Sequence, residues 1–205
     1  MIFKAVGFDY GGVLTGEAST VISKKIATLL GVTEEHYHEV YYWHNRKVNL
    51  GLITWRQLWE TVLRDLGKAE KLDELLHLIG QSDFRTLNGA MLKLVSELRS
   101  KGHKTGLLSN NTADAAAKMR QQGLARYFDV LNISVETGFV KPEPAAFQHF
   151  AEGLKVSLAE LIFIDDSQKS LSTASQLGYH PILFKDYESL VAELIKLGVF
   201  GDSDS

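Results

Sequence analysis

The amino-acid sequence predicts an α/β fold in which a parallel sheet is covered by helices and an all-helical segment is inserted after the first strand. Three observations support this class. An apolar run at residues 3–9 is typical of a buried strand. From about Ala18 to Gly80 only helical periodicity follows. From Met91 onward, helices and short apolar strands alternate, which is the pattern of a parallel sheet with crossover helices.

The composition excludes several classes of protein. Of 205 residues, 45% are hydrophobic and 23% are charged, so the chain is neither disordered nor fibrous. A net charge of −3 gives no overall basic surface for nucleic acid. No apolar run approaches the ~20 residues of a membrane span, and the N-terminus lacks the pattern of a secretory leader. The absence of cysteine fits a reducing compartment, so we expect a cytoplasmic protein with no membrane or nucleic-acid partner.

Each helix of the inserted segment has its own periodicity or boundary signal. We expect these helices at residues 21–30, from Thr33 to about His44, at residues 55–66 and at residues 72–79. Thr33 can cap the second of them, and Thr54 with Gln57 can form a capping box for the third. Gly31 and Gly67 follow the first and third at the position where glycine ends a helix.

The second part of the chain supplies the remaining strands of the sheet. They are expected at residues 104–109, 128–133, 161–165 and 181–184. Helices are expected before, between and after these strands, at residues 91–102, 113–122, 144–150, 171–177 and 190–195. Pro144 suits the first turn of its helix, where a missing N–H costs nothing.

Polar residues follow three of the predicted strands. Asp9 ends the first strand, Ser109-Asn110-Asn111-Thr112 ends the second, and Asp165-Asp166-Ser167 ends the fourth. Ligands of open parallel sheets bind at these carboxyl ends. Carboxylates that converge there repel one another unless a cation or a proton compensates. Because all the ligands are oxygens, Mg²⁺ is the cation we expect.

Lys141, in the segment Gly138-Phe-Val-Lys-Pro-Glu-Pro144, is a further candidate. A cation beside the carboxylates would keep a nucleophilic carboxylate ionised and would neutralise anionic substrate oxygens. Taken singly, each of these residues is more often a turn, a helix cap or a solvated surface group. Their order and their shared position at strand ends favour a functional site.

Four segments, in chain order, resemble the four motifs of the haloacid dehalogenase (HAD) superfamily. They are Phe8-Asp-Tyr-Gly-Gly-Val-Leu14, Leu107-Leu-Ser-Asn110, Gly138 to Phe147, and Phe163-Ile-Asp-Asp-Ser167. The helical insertion resembles the helical cap of that family, so the resemblance covers nearly the whole chain. It implies a Rossmann-like HAD core domain at residues 1–15 and 85–205 and a helical cap domain at residues 16–84.

The resemblance also implies an activity, that of a Mg²⁺-dependent phosphatase (a phosphoric monoester hydrolase) for a small phosphorylated metabolite. Asp9 would attack phosphorus and form an aspartyl-phosphate. Asp9, the backbone carbonyl of Gly11 and Asp166 would hold Mg²⁺, with Asp165 nearby or bridging through water. The sequence leaves open which metabolite is cleaved and which oligomeric state the protein adopts.

Substrate binding is implied for three further positions. Ser109 and the amide of Asn110 would bind phosphoryl oxygens, and Lys141 would neutralise charge on Asp9 and on the phosphoryl group. Together with Asp9, Ser109 and Lys141 are the implied catalytic residues.

Gly11 departs from the family pattern. Phosphatases of the family usually carry an aspartate there as general acid and base, a role typically worth ~10²–10⁴-fold in rate. Glycine cannot transfer a proton, so substrates that leave as weak bases are expected: acyl, aryl and anomeric sugar phosphates. Two alternatives stay open, a weakly active or non-catalytic HAD-like protein and, less favoured, a metal-independent haloacid dehalogenase. Adjacent Asp165 and Asp166 argue against the dehalogenase.

The cap is expected to choose the substrate, through the segment at residues 36–47. Its aromatic residues fit the buried face of a helix, while Arg46, Lys47 or a histidine can face the active site. His44 is one candidate for the missing proton donor. His36 and His38 are not a metal pair, because residues two apart do not share a helix face.

Overall fold

The computed structural model describes residues 3–16, 19–81 and 86–201. Five parallel strands form one sheet in the order β3-β2-β1-β4-β5. The strands are β1 (Ala5–Phe8), β2 (Lys104–Ser109), β3 (Val130–Ile133), β4 (Leu161–Asp165) and β5 (His180–Leu183). This strand order is that of Rossmann-like folds. The predicted α/β class with a parallel sheet is therefore confirmed.

The register of the sheet brings the motif-bearing strand ends to one level. Phe8, the last residue of β1, lies opposite Leu107 of β2 and Ile164 of β4. Asp9 therefore follows β1 beside the last residue of β4, Asp165. The neighbouring strands β1 and β4 are buried and almost continuously apolar, because helices cover both faces of the sheet.

Four helices lie between β1 and the rest of the sheet. They are α1 (Ser19–Leu30), α2 (Glu34–Asn49), α3 (Trp55–Asp65) and α4 (Leu72–Gln81), with a 3₁₀ turn at residues 69–71. The predicted caps are present: Thr33 accepts from the His36 N–H, and Thr54 with Gln57 forms a capping box. The inward faces of these helices make their own apolar cluster, centred on Trp59.

The remaining helices flank the sheet. They are α5 (Gly89–Ser100), α6 (Ala113–Gln121), α7 (Ser134–Thr137), α8 (Pro144–Leu154), α9 (Ala174–Leu177) and α10 (Tyr187–Lys196), with 3₁₀ turns at residues 124–126 and 158–160. One apolar layer is formed with α5, α6 and α10, and a second, rich in phenylalanine, is formed with α8.

Three predicted helix lengths are wrong. The helix expected at residues 144–150 continues to Leu154. The second helix continues to Asn49 instead of ending near His44, because Val48 and Asn49 are buried and complete its packed face. The helix expected at residues 171–177 is reduced to α9. The chain before it forms tight turns, in which the N–H groups of Ser172 and Ala174 bond to carbonyls three residues earlier.

The two connections between the sheet and the four helices are hydrogen-bonded to each other. Thr15 and Leu87 form an antiparallel bridge. On either side, the Gly16 N–H donates to the Thr86 carbonyl at 3.1 Å and the Asn88 N–H donates to the Leu14 carbonyl at 2.8 Å. We refer to these two paired segments, residues 14–16 and 86–88, as the stalk.

The division into core and cap domains stays a prediction, and its boundary at residues 84 and 85 lies outside the described residues. We use "core" for the sheet with α5–α10 and "cap" for α1–α4. The tail at residues 202–205 also lies outside the described part of the chain. Within that part, no helix combines the length and the apolar character that crossing a membrane requires.

Candidate active site

Three carboxylates meet at the carboxyl edge of the sheet. Asp9, Asp165 and Asp166 each place an oxygen so that the three atoms lie within 4.8 Å of one another. The register of β1 and β4 explains why Asp9 and Asp165 converge. These two side chains and the adjacent Asp166 concentrate negative charge at one point.

Lys141 compensates part of this charge. It lies in the loop between α7 and α8, and its Nζ donates to Asp9 Oδ1 at 2.8 Å and to Asp165 Oδ2 at 2.5 Å. Its side chain is 2% exposed. Burial by itself lowers the pKa of the ammonium, but the carboxylates of Asp165 and Asp9 raise that pKa above its ordinary value. Lys141 is therefore a fixed cation at physiological pH.

Asn110 holds the backbone of Lys141 in place. Its Nδ2 donates to the Lys141 carbonyl at 2.8 Å, and its Oδ1 accepts from the Lys141 N–H at 2.9 Å. The peptide bond between Lys141 and Pro142 is cis. The resemblance implies only one role for Asn110, the binding of phosphoryl oxygens by its backbone amide. The structure adds the two hydrogen bonds from its side chain to the backbone of Lys141.

Asp165 and Asp9 differ in the hydrogen bonds that their carboxylate oxygens accept. Asp165 Oδ1 accepts from the Ser167 N–H at 2.8 Å, and Oδ2 accepts from Lys141. Burial raises the pKa of the Asp165 carboxyl, and the Lys141 ammonium opposes that rise. No hydrogen bond from the described residues reaches Oδ2 of Asp9, so this oxygen can serve as a nucleophile or a ligand.

The turn after β1 and the end of β2 complete the floor of the site. The φ angle of Gly11 lies outside the left-handed region, whereas Gly12 has φ +70°. A Cβ atom at Gly11 would meet only Asp9 Oδ2, at 3.9 Å. Ser109 is buried, and its Oγ accepts from Asn111 Nδ2 at 3.0 Å.

A cavity of about 330 Å³ lies above these groups, between the core and α2. Its core wall contains all the residues singled out in the sequence: Asp9, Gly11, Ser109, Asn110, Lys141, Asp165 and Asp166. Its cap wall contains Tyr41, Tyr42, Asn45, Arg46 and Asn49. A cavity of this size accommodates a small metabolite.

Of the charged cap residues considered, only Arg46 lines this cavity, and it is paired with Glu143 of the core at 2.6 Å. Lys47 is exposed and is not part of the wall. His44 is buried within the cap, where Nε2 lies 2.7 Å from Asp65 Oδ2. The hypothesis that His44 donates a proton to the leaving group is therefore wrong.

Sequence reasoning missed the uncharged side chains of the cap wall. Tyr42, Asn45 and Asn49 recur at intervals of three and four residues, so they share one face of α2. That spacing was visible in the sequence, but only the docking of α2 shows which face meets the core. Lys169, which follows β4, also lines the cavity, with Nζ 3.6 Å from the centroid of the Tyr42 ring.

The donor set fits a hard divalent cation. Its three side chains are carboxylates whose oxygens converge within 4.8 Å, and oxygen ligands are those that Mg²⁺ prefers. Lys141 balances only part of their charge, so a cation would lower the remaining repulsion.

The sequence model of the haloacid dehalogenase-like hydrolases matches residues 3–178. The chain belongs to this family. Over 98% of its own length and 98% of the relative, this HAD-like hydrolase is 27% identical to phosphatase MT3486 of Mycobacterium tuberculosis (strain CDC 1551 / Oshkosh). It is also 32% identical to bifunctional epoxide hydrolase 2 of Rattus norvegicus, over 55% of the chain but only 21% of that much longer relative.

The fold of a solved HAD structure agrees with this assignment. A HAD family enzyme of Bacteroides thetaiotaomicron, in complex with magnesium and inorganic phosphate, superimposes with a TM-score of 0.59. The alignment covers 92% of this chain and 98% of that enzyme, at 23% sequence identity. At this identity the likeness supports the fold.

Proposed function

We propose that this HAD-like hydrolase is a Mg²⁺-dependent phosphoric monoester hydrolase that cleaves a small phosphorylated metabolite through an aspartyl-phosphate. The observation that carries the proposal is the buried ammonium of Lys141 between Asp9 and Asp165, next to a carboxylate oxygen of Asp9 without a described partner. A relative named as a phosphatase and a magnesium–phosphate complex of a HAD enzyme support it. A cytoplasmic location belongs to the same proposal.

In the first step, Asp9 Oδ2 attacks phosphorus, and the bond from phosphorus to the ester oxygen breaks. The leaving oxygen takes the bonding electron pair, while the phosphoryl group becomes bonded to Asp9. Lys141 neutralises charge on Asp9 and on the phosphoryl oxygens, and the Ser109 hydroxyl donates to one of those oxygens. Asp9, the Gly11 carbonyl and Asp166 would hold Mg²⁺, which supplies further positive charge when bound.

In the second step, water attacks the phosphorus of the aspartyl-phosphate. The bond to Asp9 breaks, the carboxylate is regenerated and inorganic phosphate leaves. Because Gly11 carries no acid or base, the ester oxygen must leave without a proton from that position. Acyl, aryl and anomeric sugar phosphates meet this condition, since their leaving groups are weak bases. A steep fall of kcat/KM as the leaving-group pKa rises would support this selectivity, and a flat dependence would contradict it.

The decisive experiment measures phosphate release from 4-nitrophenyl phosphate and a panel of phosphorylated metabolites with Mg²⁺. Excess chelator should abolish release, and Asp166→Asn should raise the Mg²⁺ concentration needed for half-maximal activity. The matched control is Asp186→Asn, which changes a helix-capping carboxylate far along the chain from the motifs.

Three results would contradict the proposal. Full activity in excess chelator would exclude the metal role. Chelator-insensitive halide release from a 2-haloacid would identify a dehalogenase. The absence of both phosphate and halide release would favour a non-catalytic HAD-like protein.

A further inference from the structure

The outer face of α2 carries the most exposed large apolar side chain of the described residues. Trp43 is 81% exposed, whereas Tyr37 of the same helix is buried in the cap and Tyr42 lines the active-site cavity. An indole in water leaves a large apolar area uncovered, and tryptophan is enriched at the centres of protein interfaces. This position therefore points to a partner that covers it.

Charged side chains lie in order on either side of Trp43. Glu35, Glu39, Trp43 and Lys47 recur every four residues, which places them in one row along the surface of α2. All four are exposed. The two glutamates precede the tryptophan and the lysine follows it. The outer face of α2 thus has an acidic half and a basic half, with the apolar group between them.

The dipole of a helix favours acidic residues near its N-terminus and basic residues near its C-terminus. The dipole does not account for an exposed tryptophan midway between Glu39 and Lys47. A second copy of the same helix does account for it. If two α2 helices lie antiparallel about a two-fold axis at Trp43, residue 39 of each copy lies opposite residue 47 of the other. Glu39 then meets Lys47 at two equivalent places, and the two indoles lie side by side at the axis.

A groove beside Trp43 provides room for the second indole. It has a volume of about 710 Å³ and is lined by His38, Tyr42 and Glu39 of α2 and by Lys169 of the core. The rings of His38 and Tyr42 are 5.5 Å apart, and Lys169 Nζ lies 3.6 Å from the centroid of the Tyr42 ring. Aromatic rings and cations both pack favourably against an indole.

We propose that the outer face of α2 is the interface of a symmetric homodimer. Trp43 of each copy enters the groove of the other, and Glu39 forms an ion pair with Lys47 across the two-fold axis. This inference goes beyond the proposed phosphatase function and does not depend on it.

The size of the contact sets the expected affinity. Two indoles bury about 500 Å² at most, whereas a specific interface buries about 1,200 Å² or more in total. The residues around Trp43 must supply the rest, and many of them are charged. We therefore expect a dimer that dissociates at micromolar concentrations.

Sedimentation equilibrium of the full chain, between about 1 and 200 μM, measures this association. Trp43→Ala should raise the Kd of the dimer at least thirtyfold, roughly the effect of a central interface tryptophan. Ile195→Ala is the matched control, because Ile195 is an exposed apolar residue of α10. Circular dichroism verifies that both variants are folded.

Charge reversal tests the antiparallel arrangement. Glu39→Lys and Lys47→Glu should each weaken the dimer by about tenfold or more, because each places like charges opposite one another. The double variant should recover the dimer, since it only exchanges the two partners. An equimolar mixture of the two single variants should form a heterodimer, in which two lysines of one chain face two glutamates of the other. Glu188→Lys, at an exposed position of α10, is the matched control.

Three results would overturn the proposal. The wild-type chain could stay monomeric over the whole concentration range, which would leave this face free or available to another protein. The dimer could survive Trp43→Ala, which would place the interface elsewhere. The double variant and the mixture could both fail to associate, which would exclude the pairing of Glu39 with Lys47. Each of these measurements is independent of whether the protein hydrolyses a phosphate ester.

Discussion

The core and the cap bury opposite kinds of side chain on the two sides of Gly11. In the core, a lysine ammonium is buried between two carboxylates, and an asparagine side chain fixes its backbone. In the cap, aromatic rings line a cavity of about 200 Å³, and the buried Nε1–H of Trp59 has no acceptor among the described residues. Paired charges in a buried site hold fixed positions and suit chemistry, whereas an apolar cavity discriminates by shape. Under the proposed function, we infer that reactivity and selectivity are set by separate parts of the chain.

The largest expected effect removes Asp9, the proposed nucleophile on the core side. Asp9→Asn should reduce turnover by on the order of 10⁴-fold or more, because an amide is a poor nucleophile and a weaker ligand. Phosphate release from 4-nitrophenyl phosphate measures it. Retained turnover would mean that water attacks directly.

Removing the central cation should affect stability as well as activity. Lys141→Met leaves Asp165 buried without its counter-charge, so the free energy of unfolding should fall by about 3–5 kcal/mol. Urea denaturation measures the change. Adding Asp165→Asn should recover part of the stability but not the activity. Full stability in Lys141→Met would show that the ion pair contributes nothing to folding.

Alkaline pH should weaken the cap through its tyrosines. Burial, followed by the neighbouring Tyr42, raises the pKa of Tyr41, and burial likewise raises the pKa of Tyr37. The folded protein then holds these protons more tightly than the unfolded chain. This stability is complete below pH ~10 and falls above it, by up to ~1.4 kcal/mol per pH unit for each phenol.

Thermal unfolding between pH 8 and pH 11 measures this slope. Tyr41→Phe should flatten it, because phenylalanine has no proton to lose. Tyr187→Phe, at the start of α10, is the matched control. An identical slope in wild type and Tyr41→Phe would contradict the assignment to this residue.

The smallest expected effect concerns the ion pair between the cap and the core. Arg46 and Glu143 are 2.6 Å apart, but their side chains are 58% and 41% exposed, so solvent screens the pair. Arg46→Ala should therefore change the free energy of unfolding by less than about 1 kcal/mol. A double-mutant cycle with Glu143→Gln in urea isolates the pair. A coupling energy well above that value would show that this contact holds the cap against the core.

The contrast between core and cap also explains how much of the fold and of the candidate site the sequence could predict. The strands β2 and β4 match the predicted ranges, and the polar residues after them lie in the active-site cavity, because parallel register brings strand ends together. These relationships depend on local pattern and on the topology of the sheet. The candidate site in the core is therefore visible in the one-dimensional sequence.

The cap wall depends on how helices dock, which no local pattern contains. The aromatic residues of α2 were attributed to a buried face, and Tyr37 and Tyr41 do pack into the cap cluster. Tyr41 and Tyr42 also line the active-site cavity, which that prediction did not include. His44 points to Asp65, a partner twenty-one residues away that its own helix does not supply. The sequence predicted that α2 ends near His44, whereas the helix continues to Asn49 with Val48 buried.

The stalk has a consequence for the evolution of such a protein. The chain leaves the core and returns to it at Gly16 and Thr86, whose backbones share a hydrogen bond. The chain segment between these two residues therefore leaves the core and re-enters it at one point. This segment can be exchanged or redesigned as one contiguous stretch of coding sequence without altering the register of the five strands. Under the proposed function, new leaving groups can thus be acquired while Asp9 and Lys141 are inherited unchanged.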